Sequence, residues 1–241
     1  MARVGLLIFV LVVGLLFLTL VLRLLLLFLN ISLFAWQWRR LANKPVPPRA
    51  IRLAVLGDST MQGIGASRLS KTAVGRIAKH IAAKTGRPVH IYNVSQTGAR
   101  TEKILHEQLP HIASYKPDLI LLSAGANDVI KLTPHREFMA HYRALINQLP
   151  AAKTVAADIP NISRPPVSVG LSAKWNPGLH ALLHERGIRY ALVYKMLKNI
   201  EHNPRTYAAD FFHASNYGYR FWEKAFIPPI DAILAEQDLL E

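Results

Sequence analysis

Apolar residues fill the start of the chain almost without relief. Between residues 4 and 29 the run is broken only by Gly5, Gly14, Thr19 and Arg23. At about 1.5 Å per residue, a helix of that length reaches roughly 39 Å, more than the ~30 Å hydrocarbon layer of a bilayer. The pattern predicts one tilted transmembrane helix. A cleaved signal peptide would show an apolar region of about 7–15 residues and a small-x-small site, and neither is seen. Arg23 can snorkel to an interface. Trp36 and Trp38 stand where an interfacial aromatic belt is expected. Lys44-Pro45-Val46-Pro47-Pro48-Arg49 follows, and its three prolines favour an extended spacer. The expected division is a membrane anchor over 1–36, a basic, proline-rich linker over 37–50, and a folded domain over 51–241.

From residue 51 the pattern changes to alternation. Short apolar runs at 51–56, 89–94, 119–122, 154–157 and 188–193 read as buried strands. Between them lie stretches of helical period. Ala73, Val74, Ile77, Ala78 and Ile81 mark a helix over 71–85 that Gly86 stops. Further helices are expected at 102–109, closed by Pro110, and at 138–149, ending at Pro150. Another is expected through 185, opened by Asn176-Pro177 as a cap and first-turn proline. A final helix is capped by Ser215 and interrupted at Pro228-Pro229. Strand–helix alternation of this kind predicts an α/β domain, a parallel five-stranded sheet covered on both faces.

Composition narrows the chemistry. There is no cysteine among the 241 residues, which excludes disulfides, thiolate metal sites and a cysteine nucleophile. The formal charge is +14, and Arg3, Arg23, Arg39, Arg40, Lys44, Arg49 and Arg52 all precede the first acid, Asp58. These seven account for half of the excess, so the domain is itself basic. An anionic membrane surface explains that charge better than nucleic acid does, because no basic cluster with interleaved aromatics stands out. The basic residues after the anchor outnumber those before it, which favours a cytoplasmic domain; a periplasmic domain on an uncleaved anchor is the alternative.

In a parallel α/β sheet the reactive groups gather where the strands end. After the first strand comes Gly57-Asp58-Ser59. After the second comes Asn93-Val94-Ser95-Gln96-Thr97-Gly98. After the third comes Gly125-Ala126-Asn127-Asp128, and near the C-terminus Asp210-Phe211-Phe212-His213. Taken singly, each has an ordinary explanation: a helix cap, a turn glycine, a loop carboxylate, one histidine among ten. Taken in order, they resemble the blocks of the SGNH hydrolases, the GDSL-type esterases and lipases. The resemblance covers roughly residues 51–230. Thr60 stands where the namesake motif has leucine, and Ala214 follows the histidine where many members have proline or leucine. Neither departure removes a functional atom.

The resemblance implies a three-layer, flavodoxin-like α/β/α sandwich and a serine esterase. Ser59 would be the nucleophile, His213 its base, and Asp210 the group that orients His213. The oxyanion would be held by the Ser59 and Gly98 amides and the Asn127 side chain. No metal or organic cofactor is expected. Substrates would be ester-containing small molecules, lipids or acylated glycans. An acyltransferase or glycan O-deacetylase using the same site is an alternative, and a non-catalytic membrane-tethered binding module is another. His180 and His184 have the i, i+4 spacing of a zinc motif, but no glutamate lies between them and no third ligand is evident. Gly63-Ile64-Gly65 with Ser70-Lys71-Thr72 lacks the glycine before lysine that a phosphate loop needs. Residues 160–175 form the longest irregular segment, and its prolines and Trp175 could make a substrate wall or lid.

Overall fold

The computed structural model describes residues 2–162 and 170–239. A long helix, α1 (Ala2–Ala42), leads into five strands: β1 (Ile51–Leu56), β2 (Val89–Asn93), β3 (Leu119–Ser123), β4 (Thr154–Ala157) and β5 (Arg189–Ala191). They pair in parallel in the order β2-β1-β3-β4-β5. The chain therefore reverses its winding between β1 and β3, where a doubly wound sheet opens a crevice at the carboxyl ends of its strands.

The two-residue period of the strands sorts their side chains into two apolar layers. Leu53, Val55, Leu119 and Leu121 face one layer, while Ala54, Leu56, Ile120 and Leu122 face the other. α3 (Ala73–Thr85) and α10 (Tyr219–Glu236) cover the first layer, together with Phe34 and Trp38 of α1. The second is covered by the helical segment from Thr101 to Ala113, α7 (His135–Asn147) and α8 (Leu171–Glu185). The fold is the expected α/β sandwich. The other helices are α2 (Ser59–Gln62), α4 (Thr101–Lys103), α5 (Leu109–Ala113), α6 (Ala126–Ile130) and α9 (Val193–Lys198).

Several boundaries move, each for a local reason. α1 does not stop at the expected anchor limit but runs to Ala42, so residues 37–42 are helical and only 43–50 are irregular. Trp38 is buried and donates its indole N–H to the Gln62 carbonyl, 2.9 Å away, so it belongs to the domain rather than to an aromatic belt. Pro110 does not close a helix: a π turn (Ile104–Gln108) links α4 to α5, and Pro110 falls at the start of α5, where its missing N–H costs little. α8 begins five residues before Asn176, which is no cap. Its buried amide accepts from Ile159 N–H and donates to Ile159 O, both at 2.9 Å, and Pro177 is carried inside the helix. Val193 starts α9, so the fifth strand is shorter than its apolar run. α10 continues through Pro228 and Pro229, held by Trp222, Phe226, Ile230 and Ile233 in the core. Ser215 does act at its entry: Oγ accepts from Tyr217 N–H and Gly218 N–H.

Candidate active site

β1 ends in Gly57, and Asp58 caps the four-residue α2 by accepting the Thr60 N–H at 2.9 Å. Ser59 is thereby the first residue of α2, at the crevice between β1 and β3. Its Oγ lies 3.0 Å from His213 Nε2, and His213 Nδ1 lies 2.5 Å from Asp210 Oδ2. With Nδ1 protonated, the ring donates to Asp210 and accepts the Ser59 hydroxyl. Asp210 Oδ1 also accepts the N–H groups of Phe212 and His213, which fixes the carboxylate within its own loop. Ser59 and His213, 154 positions apart in sequence, thus join Asp210 in one hydrogen-bonded chain.

Two carboxylates near His213 are shifted in opposite directions. Burial pushes the Asp58 carboxyl up to about 6, although the Thr60 N–H and the neighbouring His213 pull it down. Burial also raises Asp210. There, the hydrogen bond and charge of His213 and the two loop N–H groups outweigh it and hold the carboxyl below its ordinary value. Asp210 is therefore the more readily ionised of the two, and the one hydrogen-bonded to the imidazole it would stabilise when charged.

Asn127, on α6 just past β3, lines the same cleft as Ser59. Its amide donates to Ala99 O at 3.0 Å and approaches Asp58 Oδ2 at 3.4 Å. Gly98 adjoins that carbonyl in a turn closed by Ala99 N–H donating to Gln96 O, with a positive φ of 78°. Gly98 is not among the residues lining the cleft, and it borders a separate charged hollow with Arg100 and Lys131. Among the described residues, neither the Ser59 N–H nor the Gly98 N–H is given to another protein group. Asp128 does not cap its own helix. It is buried and accepts from the N–H and Oγ1 of Thr101, joining the third block to the second.

The cleft encloses about 440 Å³. Ile130, Ile162, Leu197, Phe212 and Trp222 supply its apolar wall, and Asn161, Glu201 and Tyr207 its polar side. Pro160 lines it as well, but residues 163–169 of the expected lid lie outside the described residues. Trp175 is no part of the wall: it is buried in the core, stacked on Phe138 with ring centroids 4.9 Å apart. His180 and His184 do not make a pair, since His184 is exposed while His180 stacks on Tyr190 and meets Asp158 at 3.3 Å.

Sequence reasoning missed the braces behind the site. Gln108, on the π turn, accepts from Gly57 N–H and donates to Gly57 O, pinning the strand end before the serine. Asn93 donates to Met61 O. Gln62 has three attachments: Oε1 accepts from Thr97 N–H and Oγ1, Nε2 donates to Ile31 O of α1, and its own carbonyl takes the Trp38 indole. Tyr219 donates to Ile64 O behind Ser59 and is kept protonated by burial and by Asp58 and Asp210. Gly65 explains the glycines that resembled a phosphate loop. It has φ 94°, and a Cβ there would come 2.4 Å from Ala214 O and 3.1 Å from His213 Cβ, so only glycine lets the histidine loop close on α2.

Residues 55–221 match the model of the GDSL-like lipase/acylhydrolase family. No curated protein matches the chain. The fold is similar to a lipase/acylhydrolase from Enterococcus faecalis, at 21% identity and TM-score 0.63 over 75% of this chain and 95% of that one. It is similar to the psychrotrophic esterase EstA from Pseudoalteromonas sp., at 17% identity and TM-score 0.62 over 77% and 99%. It is also similar to Axe2, an acetylxylan esterase from Geobacillus stearothermophilus, at 15% identity and TM-score 0.59 over 74% and 93%.

Proposed function

Because the chain belongs to the GDSL-like lipase/acylhydrolase family and is an ester hydrolase, we propose that it works through an acyl-serine intermediate on Ser59 and is held at a membrane by α1. The hydrogen-bonded chain Ser59–His213–Asp210 in a cleft with one apolar wall carries this reading. A serine hydroxyl is a weak nucleophile until a base takes its proton. His213 Nε2 accepts that proton as Ser59 Oγ bonds to the ester carbonyl carbon. The carbonyl oxygen becomes an oxyanion, received by the free N–H of Ser59 and by the Asn127 amide, which gives up its long 3.4 Å contact to Asp58 Oδ2; the Gly98 N–H joins them as its turn moves toward the cleft it does not line in the free protein. One such donor is worth about 2.7–4 kcal/mol of barrier. The imidazolium then protonates the departing alcohol as the C–O bond breaks. Water, deprotonated by His213, attacks the acyl-serine; the acid leaves and Ser59 recovers its proton. Asp210 holds the imidazole in the required tautomer throughout.

The acyl group would lie against Ile130, Ile162, Leu197 and Trp222. Residues 3–20 of α1 are exposed on every side, about 27 Å of mostly apolar helix with nothing among the described residues to cover it, which suits the hydrocarbon layer.

Hydrolysis of p-nitrophenyl esters of increasing chain length by the full chain in detergent tests the chemistry. Activity should depend on Ser59 and fall by at least ~10⁴-fold in Ser59→Ala. A fluorophosphonate should label Ser59 in the folded protein. Undiminished hydrolysis by Ser59→Ala, or no adduct, would overturn the proposal. The alternative of a tethered binding module predicts that second outcome.

A further inference from the structure

α1 does not join the domain at an arbitrary point. Ile31 lends its carbonyl to Gln62 on the helix that carries Ser59, at the carboxyl end of β1. Thirteen residues on, the Lys44 carbonyl receives His90 Nε2 at 3.0 Å, beside the amino end of β2. The helix therefore descends the sheet edge from the carboxyl end to the amino end. Its free N-terminal part projects from the carboxyl end, the end where the cleft opens. Arg23 is eight positions before Ile31, about 12 Å of helix. Leu29 and Leu33, which flank Ile31, remain 66% and 43% exposed, so outward-facing apolar surface reaches the level of the site itself.

A second observation comes from the domain. Among the described residues from 51 onward, the exposed large apolar side chains are Leu132, Leu192 and Phe211. All three stand at the carboxyl end of the sheet. Leu132 follows α6 past β3, Leu192 follows β5 directly, and Phe211, 75% exposed, lies on the cleft rim between Asp210 and His213. Leu132 and Phe211 both have φ 54°, a region that bulky residues rarely enter. Burial gives neither a reason to be apolar.

We propose that the carboxyl end of the sheet is a bilayer-docking face. Leu132, Leu192 and Phe211 enter the boundary between headgroups and acyl chains of the membrane that α1 spans, and the ester substrate is a membrane lipid that reaches Ser59 from the bilayer. This rests on the anchored-esterase reading. Apolar side chains on a rim are stabilised there by leaving water, and the tilt available to a helix longer than the hydrocarbon layer brings the rim down to the surface.

The absence of cysteine makes the test clean. Single cysteines at Leu132, Leu192 and Phe211, and at exposed Ser114 on the opposite end as control, are labelled with an environment-sensitive nitrobenzoxadiazole probe. The full chain is reconstituted in phosphatidylcholine vesicles containing lipid spin-labelled near the top of the acyl chain. The first three sites should be quenched at least threefold more than Ser114; quenching no greater than at Ser114 overturns the docking face. Flotation with vesicles and Ser59-dependent hydrolysis of p-nitrophenyl acetate, read on the unlabelled parent and on the Leu132, Leu192 and Ser114 samples, which lie outside the cleft lining, report anchoring and chemistry separately. Their loss would fault the underlying reading, not the orientation. In the second arm, Leu132→Asn/Leu192→Asn keeps both backbones comfortable, since asparagine tolerates positive φ and caps helices. It should leave p-nitrophenyl acetate turnover unchanged and lower hydrolysis of a long-chain diacyl glycerolipid in vesicles at least fivefold. Equal effects on the two substrates would also overturn the proposal.

Discussion

The two halves of α1 are made of the same residues and do different things. Residues 3–20 are exposed all round. From Leu27 onward one stripe is buried: Leu27, Phe34 and Trp38, at 6%, 2% and 2% exposure, spaced as one face of a helix. The outer half has one side-chain hydrogen bond among the described residues, Thr19 Oγ1 to its own helix at Leu15 O. The inner half is tied to Gln62 in both directions, and through Gln62 Oε1 to Thr97, the residue before Gly98. The outer half is thus bound to whatever surrounds the protein, while the inner half is a wall of the domain and a brace for its candidate active site. An exposed apolar segment and a core helix here share one unbroken element.

The sharpest way to break this comparison is by truncation. Removal of residues 2–20 should leave the melting transition of the domain within a few degrees of its original value in detergent. Removal of 2–42 strips Phe34 and Trp38 from the core, where large-to-small loss of each costs about 3–5 kcal/mol, against a typical total stability of ~5–15 kcal/mol. The longer deletion should lose its cooperative transition by near-ultraviolet circular dichroism. Similar melting of both proteins would mean the inner half is only a passenger. The same contrast can be drawn at single positions. Phe34→Ala should destabilise by about 3–5 kcal/mol, and Phe17→Ala, 67% exposed, by less than ~0.5 kcal/mol.

That contrast also marks what the sequence could and could not show. Strand positions were legible because short apolar runs and proline–glycine punctuation are local. Ser59, Gly98 and Asn127 could be picked out because each lies just past a strand, and Asp210–His213 by its place in the ordered set of blocks; of these, the structure joins Ser59, His213 and Asp210 through 3.0 and 2.5 Å contacts. The buried stripe of α1 was not legible. Residues 24–36 are apolar on nearly every face, so lipid-facing and protein-facing positions carry the same residue types. Gln62 and Gln108 were missed for a related reason: their partners, Ile31, Thr97 and Gly57, are backbone groups of distant segments, and backbone leaves no mark in a sequence. Pro177 and Pro228-Pro229 misled because core packing overrode their local preference.

Gln62 tests whether the brace reaches the chemistry. Gln62→Ala leaves Thr97 N–H without its acceptor and should cost about 1–3 kcal/mol of stability. If the brace positions the Gly98 loop, kcat should fall roughly tenfold with KM little changed, as for an interaction expressed in the transition state. Gln62→Glu keeps an acceptor for Thr97 and, when ionised, has no proton to give Ile31 O, so at alkaline pH it should recover kcat while remaining destabilised. Equal loss of kcat in both variants would place the effect in α1 rather than in the loop. The outer-half counterpart, Thr19→Val, should change neither quantity, with a stability effect below ~0.5 kcal/mol.

The smallest contrast is expected between the two faces of the inner half, at the neighbouring tryptophans 36 and 38. Trp38→Phe keeps an aromatic ring in the core but removes the N–H that Gln62 O accepts at 2.9 Å in a buried setting. A buried carbonyl left without that donor should cost about 1 kcal/mol, and the smaller ring adds a shallow void. Trp36, two positions away, is 49% exposed and lies under the Arg40 guanidinium, 5.4 Å from the ring centre. Trp36→Phe should leave the melting temperature of the domain unchanged, because the ring faces away from the core. Its effect, if the outward face meets headgroups, should be on vesicle partitioning, where tryptophan is favoured over phenylalanine at the interface. Melting curves that respond equally to both substitutions would show that the stripe separating the inner face from the outer one does not hold at this turn of the helix.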